Sequence, residues 1–345
     1  MMAPGRLHRW VGRWWNGEAG LAGRVADVVL APAEWLFQGG VRVRNAAYDR
    51  GVLARVQASI PVISVGNLSV GGAGKTPFAA WLVGCLKAKG RAPAVVLRGY
   101  GSDEVLLHRE LNPSVPVLAD PCRAAAVERS AALGCDVAVL DDAFQHRQVN
   151  RDLDIVLVAA ERPPLPLRLL PRGPFRETLR SLSRADLVVL TWKSSEGPPQ
   201  RVLGGLDERC PRPVVGCHIA PTRLVPLHGT DSPPRPLESL LGERTLVVAA
   251  LADPRPFRNN LAAAGARVEI CSYPDHHDFT HAEAEELSRR AAGRTLVMTR
   301  KDAVKLRSLL PPELNAWILE QEVSIVWGAD LLERTVDAVL ERARP

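Results

Sequence analysis

The amino-acid sequence predicts an α/β protein in which a mostly parallel sheet is covered by helices, with a second, smaller α/β domain. Two observations lead to this fold class. Short, nearly continuous apolar segments alternate with helical patterns, which is typical of parallel strands buried on both faces. A proline-rich passage from Pro198 to Pro236 interrupts this alternation, and a second alternation of the same kind follows it.

The first predicted strand leads into a glycine-rich turn. The segment Pro61–Val65 is apolar and β-branched, and a turn with Gly71, Gly72 and Gly74 follows before Lys75 opens a helix. Glycines let a backbone wrap closely around oxyanions, and a helix N-terminus directs free N–H groups at the same place. This order predicts a P-loop NTPase-like phosphate loop, although Ser69 stands where the strict pattern has glycine. The predicted nucleotide-binding residues are Ser69, Val70, Gly71, Gly72, Ala73, Gly74, Lys75 and Thr76.

The chemistry of this loop predicts a bound nucleotide and a metal ion. We expect Lys75 to reach the β- and γ-phosphates and the hydroxyl of Thr76 to hold Mg²⁺. Asp141 and Asp142 follow the apolar strand Asp136–Leu140. Because ligands bind at the carboxyl ends of the strands in an open α/β sheet, we predict that both aspartates lie on the metal side of the phosphates.

The other elements follow in order along the chain. In the first block we predict strands at Ala94–Leu97, Val115–Leu118, Leu153–Ala159, Leu187–Thr191 and Val214–Ile219, and a helix at Cys122–Leu133. In the second block we predict strands at Thr245–Leu251, Val268–Ser272, Thr295–Thr299 and Val323–Trp327, and helices at Pro254–Ala264, Ala282–Ala292, Lys301–Leu309 and Leu331–Arg342. The predicted domains are an N-terminal segment 1–55, a phosphate-loop domain 56–221, a smaller α/β domain 222–322, and a returning strand and helix 323–345.

Composition and charge limit the class of protein and of partner. The 345 residues suffice for two cores, and 46% hydrophobic with 24% charged residues excludes a disordered chain. The net charge of +6 suits a polyanionic partner, namely a nucleotide, a nucleic acid or an acidic membrane surface, and does not choose among them. The six cysteines form no CxxC pair, which favours reduced core thiols over disulfides or a zinc site.

The N-terminal segment has the composition of a helix that lies at a membrane surface. Trp10, Trp14 and Trp15 stand among arginines, and a mostly apolar stretch with Arg24 and Asp27 inside it follows. These charges argue against a membrane-spanning helix. We therefore predict an amphipathic element that contacts an anionic membrane; the alternative is a helix that caps the core.

Six motifs in order carry a resemblance over some 240 residues. They are SVGNLSVGGAGKTP around the phosphate loop, LRGYG at Leu97–Gly101, DDAFQH at Asp141–His146, LLPRGPFRE at Leu169–Glu177, YPDHHDFT at Tyr273–Thr280 and TRKDAVKL at Thr299–Leu306. Together they resemble the tetraacyldisaccharide 4′-kinase family of the lipid A pathway. The resemblance implies ATP- and Mg²⁺-dependent phosphorylation of the 4′-hydroxyl of an acylated glucosamine disaccharide 1-phosphate, at the cytoplasmic face of the inner membrane.

The resemblance also implies roles for individual residues. Asp103 is the implied base for the sugar hydroxyl, His276 its partner, and Lys75 the catalytic lysine of the phosphate loop. The implied metal residues are Thr76, Glu104, Asp141 and Asp142. The implied substrate and phosphate contacts are Asn67, Tyr100, His146, Arg176 and Glu177. Because Asp103 and His276 lie in different blocks, we expect the two blocks to close over the site.

The sequence departs from the family pattern at a few positions. The interval between Tyr100 and Asp103 is shorter than the family's, which bears on the role of Asp103 as base. Arg300 stands where Glu is usual. A metallochaperone-type GTPase is the alternative, because TRKDA superficially resembles a base-reading N/T-K-x-D motif. A nucleic-acid-binding module is a further alternative. The sequence shows no aromatic–basic RNA-binding motif, so no nucleic acid is expected as partner. An inactive scaffold is disfavoured by the intact lysine, threonine and aspartates.

Overall fold

A twelve-stranded sheet organises the residues that the computed structural model describes, which are 4–99, 102–161, 167–194, 197–198, 202, 210, 212–229, 232–251 and 253–342. The strands are β1 (Val62–Asn67), β2 (Pro93–Leu97), β3 (Val117–Ala119), β4 (Val137–Asp141), β5 (Leu153–Ala159), β6 (Leu187–Trp192), β7 (Val214–Pro226), β8 (Arg235–Pro236), β9 (Arg244–Ala250), β10 (Arg267–Tyr273), β11 (Thr295–Thr299) and β12 (Ala316–Trp327). Their order is β10-β9-β11-β12-β7-β6-β5-β1-β4-β2-β3, with β8 beside β7.

Helices cover the sheet and form the N-terminal region. They are α1 (Pro4–Trp15), α2 (Gly20–Val29), α3 (Ala31–Asp49), α4 (Lys75–Ala88), α5 (Ser102–Leu111), α6 (Arg123–Ala132), α7 (Arg255–Ala263), α8 (His281–Arg290), α9 (Arg300–Leu306) and α10 (Ala329–Arg342). The strands from β3 to β7 pair in parallel, and so do β10, β9, β11 and β12. The expectation of a mostly parallel, helix-covered sheet is confirmed.

The two parallel blocks are joined by an antiparallel pair of long strands, which the sequence did not reveal. β7 and β12 pair from Gly216 with Trp327 to Pro226 with Trp317. We expected strands only at Val214–Ile219 and Val323–Trp327, with irregular chain between Ile219 and Pro236, because this passage is rich in proline. The prediction was wrong in extent, because both strands are longer than expected. Pro221 lies opposite Gln321 at a register shift, where the missing N–H of a proline costs no ladder hydrogen bond.

Each block has its own buried clusters. In the first block, Phe78 and Leu82 of α4 and Val336 of α10 pack with Ile63 and Val139 of the sheet. In the second block, separate clusters form around Leu246 with Leu287 and around Val247 with Leu261. The sheet nevertheless continues from one block to the other, and the domain boundaries stay a prediction.

The N-terminal helices expose apolar side chains while one buried acid attaches α3 to the body. Glu34 is buried and accepts hydrogen bonds from the backbone N–H of Leu169 (2.6 Å) and from Arg172 (3.0 Å). No described helix is long and apolar enough to cross a membrane. The strongly exposed apolar residues of α2 and α3 are Leu21, Val25, Val28, Val29, Trp35, Leu36 and Val43.

Candidate active site

The glycine-rich turn between β1 and α4 is held in one conformation by its backbone contacts. Gly74 has φ 78°, and a Cβ there would lie 2.2 Å from Cδ1 of Ile219, so only glycine fits. The backbone N–H of Val70 donates to the carbonyl of Pro174 at 2.7 Å, and Ser69 forms an antiparallel bridge with Phe175. The bridge explains why serine is tolerated at position 69.

The end of β4 lies next to the start of α4. Asp141 is paired with Val65 in the parallel register of β4 and β1, at the carboxyl end of β4. The Thr76 hydroxyl donates to Oδ2 of Asp141 at 3.0 Å. The other carboxylate oxygen, Oδ1, is buried and has no hydrogen-bond partner among the described residues. The structure thus brings together two of the four predicted metal residues, Thr76 of α4 and Asp141 of β4.

Asp142 is engaged by two cations. Arg176 donates to its carboxylate oxygens at 2.9 and 3.0 Å, and Nζ of Lys75 lies 3.6 Å away. Burial opposes ionisation, but Lys75 and Arg176 hold the pKa of Asp142 below its usual value. Its backbone has φ 51°, a left-handed conformation that a non-glycine residue rarely adopts. This carboxylate therefore orders Lys75 and Arg176 beside the phosphate loop.

Asp103 and His276 meet across the two blocks. Nδ1 of His276 lies 2.9 Å from Oδ2 of Asp103, and the Asp103 residue is only 1% exposed. Lys305 and Lys301 of α9 lie 3.5 and 3.9 Å from the same oxygen. His276 has φ 60°, so the turn around it is strained. Apart from Asp142, it is the other non-glycine residue with a positive φ among the described residues.

The charges around Asp103 decide the protonation of the pair. Burial works to raise the pKa of Asp103, but the hydrogen bond and charge of His276, together with Lys305 and Lys301, lower it well below its usual range. The hydrogen bond to Asp103 raises the pKa of His276, with burial opposing. Asp103 is therefore ionised at neutral pH and His276 gains a tendency to be protonated.

A cleft of about 510 Å³ opens between the blocks in front of the phosphate loop. The predicted site residues that line it are Ser69, Val70, Gly71, Gly72, Ala73, Gly74, Lys75, Thr76, Glu104, Asp142, Arg176 and His276. The second block adds Phe257 and Asn260 of α7 and Lys301 of α9. Burial, reinforced by the negative charge of Asp141, raises the pKa of Glu104.

Three of the predicted substrate contacts do not line this cleft. Asn67 is fully buried and its Nδ2 donates to the carbonyl of Gly71 at 3.4 Å. Burial, with Arg123 next, lowers the pKa of His146 to about 4, so its ring is neutral at pH 7. Glu177 is fully buried and binds Asn45 of α3 at 3.0 Å. Tyr100 lies outside the described residues, and contact of these residues with substrate stays a prediction.

The protein oxygen atoms on the metal side of the site suit Mg²⁺. Thr76 keeps its oxygen lone pairs because it donates its proton to Asp141, and Oδ1 of Asp141 is unpartnered. Glu104 adds a further carboxylate to the lining of the same cleft. Among the described residues no group of three His, Cys, Asp or Glu side chains forms a complete metal cage. Mg²⁺ bound with a nucleotide usually takes one or two protein ligands together with phosphate oxygens and waters.

Comparisons with known proteins decide the family. The model of the family described as "Tetraacyldisaccharide-1-P 4'-kinase" matches residues 26–341. The chain belongs to the tetraacyldisaccharide-1-P 4′-kinase family. This confirms the resemblance seen in the six motifs.

Relatives in the family are similar over nearly their whole length. The chain is 39% identical to a protein named tetraacyldisaccharide 4′-kinase from Anaeromyxobacter sp. (strain K), over 96% of this chain and 95% of that protein. It is 32% identical to the protein of that name from Chlorobium phaeobacteroides (strain DSM 266 / SMG 266 / 2430), over 92% of this chain and 98% of the other. The apo form of LpxK from Aquifex aeolicus in complex with ATP has a similar structure, with a TM-score of 0.70, 29% identity, and coverage of 91% of this chain and 99% of that one.

Several residues of this kinase-family site escaped the sequence analysis. His108 of α5 lies 2.9 Å from Asp141, and Nη2 of Arg123 donates to the backbone carbonyls of Asp141 and Asp142 at 3.4 and 3.3 Å. A lone histidine or arginine in a helical pattern gives no signal of this kind. Lys305 stood within the motif TRKDAVKL, so that motif was the available signal.

The geometry of the TRKDA segment does not support the alternative, a base-reading GTPase motif. Asp302 is 1% exposed and accepts hydrogen bonds from the Thr299 hydroxyl at 2.7 Å and from the backbone N–H of Ala250 at 3.3 Å. Burial raises the pKa of Asp302 to about 6. Its carboxylate fixes the start of α9 to the end of β9 and is not presented to a nucleobase.

Proposed function

We propose that this protein transfers the γ-phosphoryl group of ATP to the 4′-hydroxyl of tetraacyldisaccharide 1-phosphate, as its family and the names of its relatives suggest. One observation carries the proposal. A buried carboxylate of the first block, Asp103, is paired with His276 of the second block, and His276 opens on the same cleft as Lys75 and Thr76. A base beside a phosphate-binding loop is what transfer to an alcohol needs.

Each part of the cleft has a task in this proposal. The backbone of the phosphate loop and Lys75 bind the β- and γ-phosphates, and Arg176 adds positive charge where negative charge builds up in the transition state. Asp103 accepts the proton of the sugar hydroxyl as the new P–O bond forms. His276 orients that carboxylate and shares its proton. Asn67, Tyr100, His146 and Glu177 are proposed to shape the substrate and phosphate side of the site.

Mg²⁺ would be held by Thr76 and Asp141, with Glu104 beside them. When bound, the ion supplies charge neutralisation between the phosphate groups. Asp142, the fourth predicted metal residue, is proposed to act on this side through its ion pairs with Lys75 and Arg176. The proposal for Thr76 is supported by its hydrogen bond to Asp141, which leaves the threonine oxygen able to bind a cation.

The acylated substrate requires an enzyme that works at a lipid surface. We propose that α2 and α3 lie on the anionic cytoplasmic face of the inner membrane, as a peripheral attachment. Large apolar side chains there are open to solvent, with Trp35 67% and Leu36 78% exposed, and Arg24 and Arg42 on the same helices are also exposed. Exposed apolar groups with arginines nearby favour binding to anionic lipid.

The domain division is likewise proposed from sequence. We propose that the phosphate-loop kinase domain 56–221 and the smaller domain 222–322 close on substrate, with 323–345 returning to the first. The pairing of Asp103 with His276 supports this, because each block supplies one member.

The activity is tested directly with the purified protein, ATP, Mg²⁺ and tetraacyldisaccharide 1-phosphate. We expect a product that mass spectrometry finds one phosphate heavier, with the added phosphate on the 4′-hydroxyl. GTP in place of ATP provides the arm for the alternative, a metallochaperone-type GTPase. Hydrolysis of GTP without any change in the lipid would contradict the proposal.

The membrane contact is tested by sedimentation with vesicles. Leu36→Glu should reduce binding of the protein to vesicles containing phosphatidylglycerol, because it places a negative charge in the apolar surface of α3. Leu241→Glu is the matched control, since Leu241 is 77% exposed but lies outside the N-terminal helices. Equal binding by both variants and the unchanged protein would count against the contact.

A further inference from the structure

His108 is a fully buried histidine to which no role in the site has been assigned so far. It lies on α5, the helix that begins with Asp103 and Glu104, and its residue exposure is 0%. Its Nε2 atom lies 2.9 Å from Oδ2 of Asp141. The Thr76 hydroxyl donates to that same oxygen at 3.0 Å. One carboxylate oxygen therefore receives hydrogen bonds from two elements, α4 and α5.

The roles of donor and acceptor follow from the chemistry of the groups. An aspartate carboxylate offers only acceptor oxygens, so Nε2 of His108 carries the hydrogen. Nδ1 of His108 is buried and has no hydrogen-bond partner among the described residues. Among the described residues, the ring therefore forms its hydrogen bond through Nε2 alone. A buried imidazole N–H needs an acceptor, whereas an apolar side chain would fill the same space without that cost.

The two donors determine how the carboxylate of Asp141 is turned. With Oδ2 occupied twice, rotation about the side-chain bond would break two buried hydrogen bonds. Oδ1 stays unpartnered. We propose that His108 is a positioning residue, which holds Asp141 so that Oδ1 and the lone pairs of Thr76 remain available to Mg²⁺ or its water shell. The inference deepens the proposed function, because it assigns a residue behind the metal side of that site.

The test measures Mg²⁺ dependence of nucleotide binding without any lipid substrate. A fluorescent, non-hydrolysable ATP analogue is titrated in Mg²⁺ and, separately, in EDTA. His108→Leu keeps the site filled but removes the donor, and should raise the Mg²⁺ concentration for half-saturation by about 10- to 100-fold. Affinity in EDTA should stay within about twofold. His108→Gln keeps a hydrogen-bond donor at similar reach. Its Mg²⁺ concentration for half-saturation should therefore return most of the way to the wild-type value.

Asn112→Leu is the matched control, at the residue that directly follows the same helix. Asn112 is also buried and polar, but its amide donates to the carbonyl of Ala80 and has no contact with Asp141. It should leave the Mg²⁺ dependence unchanged. An unchanged Mg²⁺ dependence in His108→Leu would overturn the proposal, and so would an equal loss of affinity in Mg²⁺ and EDTA.

Two further points keep the experiment decisive. If His108→Leu does not fold, His108→Asn replaces it, because the shorter amide cannot reach Oδ2 of Asp141. The same rise in the Mg²⁺ concentration for half-saturation is expected. Its absence overturns the proposal. Because the assay uses no acceptor, a failure to phosphorylate lipid would refute the proposed function without deciding the role of His108.

Discussion

The phosphate loop and the turn around His276 face the same cleft, but they are held in place in different ways. The loop lies between β1 and α4, adjacent in sequence, and glycines such as Gly74 permit its backbone conformation. The turn around His276 places a non-glycine residue at φ 60° and depends on contacts with Asp103 and Lys305. The phosphate loop is therefore a local structure, whereas the Asp103–His276 pair exists only when the two blocks are together.

The largest effect is expected from Lys75→Met, which removes the charge of the loop itself. Because Lys75 is proposed to neutralise the phosphates, kcat/KM for ATP should fall by about 10³-fold or more in a phosphoryl-transfer assay. Lys87→Met is the control, since Lys87 is exposed on the same helix and contacts Ser114. Near-normal ATP consumption in Lys75→Met would remove the basis for the kinase proposal.

The other half of the site is tested by Asp103→Asn. Loss of the proposed base should lower kcat by about 10²- to 10⁴-fold while binding of ATP is kept, because Asp103 is proposed to act on the acceptor hydroxyl. His276→Gln should lower kcat less, since the carboxylate remains. His277→Gln serves as the control in the same turn, because its ring contacts Glu283. If Asp103→Asn turned over normally, another group would have to be the base.

A smaller effect is expected for Lys305→Met. Nζ of Lys305 donates to the carbonyl of His277 at 3.0 Å and lies 3.5 Å from Asp103, so it supports both the turn and the charge. We expect kcat to fall about tenfold, equivalent to ~1.4 kcal/mol, with KM for ATP unchanged. Its loss should also move the acid limb of the kcat–pH profile to higher pH, because a cation that lowers the pKa of Asp103 is gone. Lys89→Met, which removes surface ion pairs with Glu333 and Asp337, should change neither.

The smallest effect concerns stability as a function of pH. The pKa of His276 is raised above 6.5, so its contribution is complete below about pH 6.5 and is lost as the pH rises through the folded value. The pKa of Asp103 is lowered below 3.8, so its contribution is present above that pH and is lost only in stronger acid. The melting temperature of His276→Gln should therefore lie furthest below the wild type between about pH 4 and 6.5. Because His276 is half-exposed, we expect a difference of no more than about 2 °C. A gap that widens above pH 7 would contradict the assignment.

Much of the fold could be predicted because its signals are local. The strand at Thr295–Thr299 was predicted with the observed bounds, and the helix expected near Lys75 begins there. The antiparallel pairing of β7 and β12 could not be predicted in full. Its residues 220–226 contain prolines that disfavour a strand locally, and the pairing becomes favourable only beside β12, about a hundred residues further on.

The sequence by itself determined the phosphate loop and the two aspartates after β4, because glycine freedom, strand burial and the start of a helix are set by neighbouring residues. It also determined the family, through motifs that keep their order. Only the tertiary structure decided that Asp103 is buried against His276 and Lys305, and that His108 holds Asp141. Those contacts join residues tens to hundreds of positions apart, so they depend on how the sheet and its helices pack, which no local pattern encodes.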